Sequence, residues 1–530
     1  MRIRFLFLLM MFGLMAQAQT IYVEGKQTGV WDADTVVVTG DVRVIDSLSI
    51  VRPGCVVLFD KFYCIFVTDG ASFCVDGGSD TTQVTFTVAD TTGFHLYDQR
   101  SGGWNGIRLE KAGKVLLNNC CLQYAKAADS FDPFGGALSI FGCEDVTITN
   151  STLRCNFARE SGGAVYAERS KLYFNECIIS ENKVYTADDI YAMYGGGACF
   201  KHCDVVMDWM IFAANYGPSC IGGGMSLDSC SLILDHADFQ HNIAINGGGM
   251  YLMRCNHKYC RMSNLLFTNN FSGHFGGGLA FADASPEVYN MTVTRNTSEG
   301  VTCEGIFFYQ ESAPKLTNCI IYGNYPKSEG PGLGDTIQMW LWTYNGFSPE
   351  FRNCLIENGL NSMIISDSLQ VFEDIIDADP LFRYPEGYDF SLQPESPCID
   401  AGNPIVPDFM TDGLALGAVP RVCNGRIDIG AFEYSANQVP ETPVANNGAL
   451  LFGNPLNQLS RVEFELVQSG PVSLQVYDMT GHRLVSQSLG RLHAGHQTVS
   501  LSTLAESLKP GLYFIEIRTP ERNFVLKAIR

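Results

Sequence analysis

Five aspartates, Asp204, Asp208, Asp228, Asp235 and Asp238, lie close together in the chain beside Lys201 and Arg254. Paired carboxylates on neighbouring strands hydrolyse glycosidic bonds, and a basic residue next to cation-holding acids abstracts a proton from a uronic acid. None of these residues falls into a motif, and acids on the water side of strands are ordinarily just hydrated. No Gly-x-Ser-x-Gly, His-Glu-x-x-His or phosphate loop occurs either. No catalytic residue and no cofactor are assigned. Asp400, Asp428 and Glu433 are acids in apolar surroundings, which suits acceptors of backbone hydrogen bonds at the end of a coil better than catalysis.

Cysteine and histidine come together twice, at Cys199, His202, Cys203 and at Cys255, His257, Cys260. Cysteine spacings of four and five lack the tight Cys-x-x-Cys hairpin of structural zinc sites, so no metal is assigned. The chain holds 19 cysteines, and Cys177, Cys319 and Cys354 each precede a pair of branched aliphatic residues. Equivalent positions of that kind stack as small buried hydrophobes, with a disulfide framework as the alternative. Trp340, Trp342 and Tyr344 alternate along one stretch and share one face of any strand. Three rings in a row form a ligand platform for sugar rings if that face is outside, and coil filling if it is inside.

The elements that must position these residues repeat. Between Phe134 and Phe281 a glycine pair is followed by a small or apolar residue six times, at steps of 27, 34, 27, 25 and 29 residues. An asparagine closes a short apolar run at Asn156, Asn182, Asn215, Asn242, Asn270, Asn296, Asn324 and Asn358. Such a period marks a solenoid whose turns bury their apolar faces only against one another. Asparagine tolerates left-handed backbone angles at a corner and can bond its copies above and below, while Gly163, Gly197, Gly224, Gly249 and Gly278 mark a second corner. Strands joined at these corners alternate apolar and polar residues, and turns of this length stacked ~4.8 Å apart make a parallel β-helix. About a dozen turns between Thr35 and Gln370 give a rod of order 55–60 Å, with Thr20 to Thr39 as its cap.

The expected division is a signal peptide over 1–18, cleaved between Ala18 and Gln19, a β-helix over 19–373 and its closing segment over 374–434. A linker over 435–447 then leads to a small immunoglobulin-like β-sandwich over 448–530. No later stretch is apolar enough for a transmembrane segment. A formal charge of −21, with no basic stripe, excludes nucleic acid as a partner and favours neutral glycans or proteins.

Two resemblances follow. Phe212-Ala-Ala-Asn215, Phe239-Gln-His-Asn242 and Phe267-Thr-Asn-Asn270, with the Gly-Gly-apolar motifs, resemble the FxxN and GG[ALIV] repeats of chlamydial polymorphic outer membrane proteins. That implies a right-handed β-helix and a role in adhesion, without the family's membrane barrel. Asn454-Pro455, Val476 to Gly481, Leu508 to Tyr513 and the basic end Lys527 to Arg530 resemble the C-terminal sorting domain of type IX secretion substrates in Bacteroidetes. That implies the type IX machinery as a partner and display outside the cell, extracellular or on the outer membrane. Phe452-Gly453 and Arg530 depart from the usual pattern. Two readings stay open: a non-catalytic rod that binds glycan or a host or bacterial surface protein, and a polysaccharide lyase or glycoside hydrolase on the same scaffold.

Overall fold

The computed structural model describes residues 19–435 and 450–529, except 79–82, 97–98, 130, 186–192, 300–302, 328–335, 412, 418 and 424 in the first part. In the second part 453–460, 467, 479–482, 502–503, 505–507, 509–511 and 521–522 are excepted. Ala18 and nearly all of the expected linker therefore lie outside the described residues.

The chain winds into a three-faced coil. The second face is a ladder of parallel strands running from the middle of Thr20–Trp31 through Met225–Asp228, Met250–Met253 and Leu279–Ala282 to Met363–Ile365. Thirteen rungs can be counted on it among the described residues. The first and third faces stack in the same register, as Phe212↔Phe239↔Phe267 and Val206↔Ile233↔Arg261 show. Alternation sends one set inward: Met225, Leu227, Met250, Leu252, Leu279 and Phe281 are wholly buried. The phenylalanines of the repeats lie flat on one another, Phe212 to Phe239 at 4.7 Å and Phe239 to Phe267 at 4.6 Å between ring centres. Thr20–Trp31 is no cap: it pairs in parallel with Thr35–Ile50 and is itself the first rung. Ile21, Val23 and Trp31 turn toward the core of the coil, while Thr20, Tyr22 and Val30 face water.

The amides run unbroken from Asn156 to Asn324. Each Nδ2 donates to the next Oδ1 at 2.9–3.0 Å, and each main-chain N–H donates to the same oxygen. The reason these asparagines sit at the corner differs from the one expected. The left-handed residue is the one before each, Glu181, Ala214, His241, Asn269 and Arg295 among them, and the asparagine serves as a buried hydrogen-bonding post. Asn358 does not join the row. It is left-handed, opens a short 3-10 turn, and leaves its place to Gln338, whose longer side chain accepts from Asn324 at 2.7 Å.

At the glycine corner, Gly195, Gly222, Gly247 and Gly276 take the left-handed angles. The glycines after them allow rungs to touch: a Cβ on Gly224 or Gly249 would stand 2.7 Å from the carbonyl oxygen of the next rung. The corner between the second and third faces takes small residues, Cys143, Ser170, Cys203, Cys230, Cys255, Ala284 and Ser312 in successive rungs. The described cysteines are unbonded thiols. Cys319 and Cys354 stack as neighbours, whereas Met210, Ala237, Leu265 and Met291 stand between Cys177 and Cys319.

The segment after the last rung does not sit on the end of the coil. It folds back along the flank, packing Phe382, Phe390, Leu392, Cys398 and Ile429 onto Leu266, Ile320 and Leu355, which point outward from the first face. Those outward aliphatic side chains would otherwise meet water, which is why the segment lies here. The C-terminal unit is two antiparallel sheets, Leu450–Phe452, Arg461–Leu466 and Gly495–Ser500 against Arg483–Leu492, Gly470–Asp478, Leu512–Arg518 and Asn523–Ile529. Both supply one core, including Phe464, Leu474 and Ile515.

Candidate binding surface

The strand Met339–Thr343 turns Met339, Leu341 and Thr343 into the coil, so Trp340 and Trp342 face outward. Tyr344 follows just past the strand end, and Trp342 and Tyr344 are 44% and 42% exposed. The two indoles stack at 5.3 Å and 10°. Trp340 meets Phe275 and Phe307 edge-on, and Trp342 meets Tyr309 likewise at 5.9 Å, so neighbouring rungs hold both rings in place. The Trp340 Nε1–H is buried in this shelf without a hydrogen-bond partner. A rigid aromatic shelf with exposed ring faces at Trp342 and Tyr344 suits a ligand that is flat on one side.

The same outward column continues toward the N-terminus from Trp342 through Tyr309, Ala282 and Met253 to Asp228. Four steps of ~4.8 Å make a strip ~19 Å long. Its far end is polar, with Asp228 paired to Arg254 and Ser229. Beside it lies an open depression of about 310 Å³ lined by Asp204, Ser229, Cys230, Ser231, Arg254, Asn256 and Tyr259.

The acids of the sequence separate onto different faces. Asp204 accepts from Ser231 at 2.6 Å, Asp228 is held by Arg254, and Asp238 stands on the first face. Lys201 lies 4.4 Å from the centre of the Tyr194 ring. Asp208 and Asp235 do converge, with His236, at the corner between the third and first faces. His236 has both ring nitrogens occupied, Nδ1 at 2.8 Å from Asp208 Oδ1 and Nε2 at 2.8 Å from the Leu414 carbonyl. Burial opposes its protonation, but the Asp208 hydrogen bond, Asp235 and the carbonyl together raise its pKa above the ordinary value.

Of the two cysteine–histidine sets, the first does not assemble. Cys199 points out of the second face, Cys203 lies in the small-residue corner, and His202 is exposed with a left-handed backbone. Cys255 and Cys260 are buried together, while the His257 side chain lies outside the described residues. Burial pushes thiols such as Cys177 and Cys199 up to about 12, so they remain protonated and unreactive.

Missed by the sequence was a second row of corner residues, Asn150, Glu176, Trp209, His236, Asn264, Asn290, Asn318 and Asn353, all left-handed. An asparagine just before the second strand of a repeat is its trace. The closing segment grips this row: Asn290 Nδ2 donates to the Asp428 and Gly430 carbonyls, and Asn403 N donates to Asn318 Oδ1. Asp428 accepts from Asp400 N and Tyr434 N, and Glu433 accepts from Cys423 N and Asp428 N, with the buried Arg421 beside them.

Two acids share that one guanidinium. Burial raises Asp428 to about 6 and Glu433 to about 8, against the pull of Arg421 and the N–H groups. The folded state thus binds more protons than the unfolded one between the ordinary carboxylate range and those values, so stability falls as pH rises through them. Limited proteolysis is expected to cut within 374–434 several-fold faster at about pH 8.5 than at about pH 5.5, after correction for protease activity.

A family model described as right handed beta helix region matches residues 95–290 and 189–369, together more than half of the chain. A second, described as secretion system C-terminal sorting domain, matches residues 450–529. No curated protein matches the chain. Among the described residues no helix is long and apolar enough to cross a membrane.

Proposed function

Because the chain belongs to the right-handed beta-helix family and ends in a type IX secretion sorting domain, we propose that it is an exported rod that binds an extended glycan without cleaving it. Display on the outer-membrane surface, with the rod acting in adhesion, is part of this reading. The stacked, outward-facing Trp340 and Trp342 carry it. A sugar ring laid on Trp342 and Tyr344 replaces water over exposed aromatic surface, and the polar end at Asp228 and Arg254 receives hydroxyls farther along the strip.

On a glycan array the mature chain is expected to light a subset of neutral polysaccharides. Trp342→Ala is expected to weaken that binding ~10-fold or more while leaving the circular-dichroism spectrum unchanged. A blank array sinks the glycan reading, and matrix or bacterial surface proteins become the ligands to test. The lyase or hydrolase alternative draws on the depression around Asp204 and Arg254, where both signs of charge meet. It requires release of unsaturated or reducing sugar from a uronic-acid panel, and unchanged polymers dispose of it.

A further inference from the structure

We propose that Asp208, Asp235 and His236 form a binding site for one divalent transition-metal ion, with Zn²⁺ as the best fit. Their ligand atoms all lie within 4.8 Å of one another, and the two aspartates are register partners on adjacent rungs. The imidazole is oriented from behind. The Leu414 carbonyl can only accept, so Nε2 carries the hydrogen and Nδ1 is the nitrogen that faces the carboxylates. That is the arrangement in which metal-bound histidines are held, with the distal N–H given to a backbone carbonyl.

The Trp209 ring lies flat on the imidazole at 4.1 Å and 5°, fixing its plane. Asp235 Oδ1 is taken by His236 N, Ser263 Oγ and Asn264 Nδ2, which leaves Oδ2 turned to the site, 3.5 Å from Nδ1. Asp208 Oδ1 accepts from Trp209 N and lies 2.8 Å from Nδ1, a hydrogen-bond distance that opens to about 3.3 Å when an ion in tetrahedral geometry takes the place of the Nδ1 proton. One nitrogen and two carboxylates are a mixed, borderline set suited to Zn²⁺, with water completing the shell. The aspartate side chains are 38% and 30% exposed, so the ion has a way in. Since Leu414 belongs to the closing segment, the ion would also tie that segment to the coil.

Titration of metal-stripped mature protein with ZnCl₂ by calorimetry is expected to show a one-equivalent site lost or weakened ~10-fold or more in His236→Gln and in Asp235→Asn. Co²⁺ at that site is expected to give visible d–d bands without the charge-transfer band of thiolate ligation. Absence of any stoichiometric site in the wild type overturns the proposal. So does a site that survives both substitutions, or one with a thiolate band. If His236→Gln fails to fold, Asp235→Asn and Asp208→Asn decide the matter alone.

Discussion

Asn242→Ala is expected to remove about 3–5 kcal/mol from the stability of the coil, as read from a lower urea midpoint. The side chain is wholly buried and makes four contacts. Its oxygen accepts from Asn215 N at 3.1 Å and Asn215 Nδ2 at 2.9 Å, and its nitrogen donates to the Phe212 carbonyl and to Asn270 Oδ1. Alanine leaves Asn215 N and one Asn215 Nδ2 hydrogen without an acceptor in a place water does not reach, each costing about 1–3 kcal/mol before the neighbours relax. It also takes one donor each from the Phe212 carbonyl and from Asn270 Oδ1, which keeps Asn242 N. Stability in a solenoid is a sum over rungs and their interfaces. Hydrogen exchange should therefore quicken first in the rungs around Asn215 and Asn270 and leave the early rungs near Val57 protected. Uniform exchange, or a loss under about 1 kcal/mol, would show that the amide row contributes little.

Arg421→Met is expected to have an effect of similar size on another part of the molecule. The guanidinium is wholly buried, donating to Asn264 Oδ1 at 3.2 Å, the Ala431 carbonyl at 2.9 Å and the Gly430 carbonyl at 2.7 Å. Its removal leaves Asp428 and Glu433 buried without a counter-charge, a loss of about 3–5 kcal/mol. The coil keeps its ladders and the closing segment lets go. A protease should then cut within 374–434 while the far-ultraviolet spectrum of the rod persists, and unaltered resistance would refute the account.

The coil was legible because its corners are local chemistry. A glycine pair marks where backbones touch, and an asparagine closing an apolar run marks a buried post, whatever lies elsewhere in the chain. Even so, the left-handed angle belongs to Ala214 or His241 and not to the asparagine after it, because composition identifies a corner more readily than the residue that turns. The direction of Trp340 and Trp342 was open in Met-Trp-Leu-Trp-Thr, where no polar residue before the threonine marks the wet face. Cys177 and Cys319 share a place in the repeat, but sharing a place is not adjacency. Least legible was the meeting of Asp208, Asp235 and His236 with Leu414, which lies 178 residues beyond His236 and arrives only because the closing segment turns back on the flank. Nothing in a repeat period announces such a return.

The amide row has a direction. Every Nδ2 from Asn156 to Asn296 gives one hydrogen to the next amide oxygen and the other to a main-chain carbonyl of the preceding rung. Every Oδ1 from Asn182 on accepts from the N-terminal side, so the side-chain carbonyl dipoles add head to tail as peptide groups do in an α-helix. At the end of the row Gln338 Nε2 donates to the Asn324 carbonyl at 2.9 Å and to the Glu357 carboxylate at 2.7 Å, where positive potential accumulates. The rod thus carries an internal electrical polarity that its last residues neutralise, and a lineage could lengthen or shorten the middle by whole turns without redesigning either terminus.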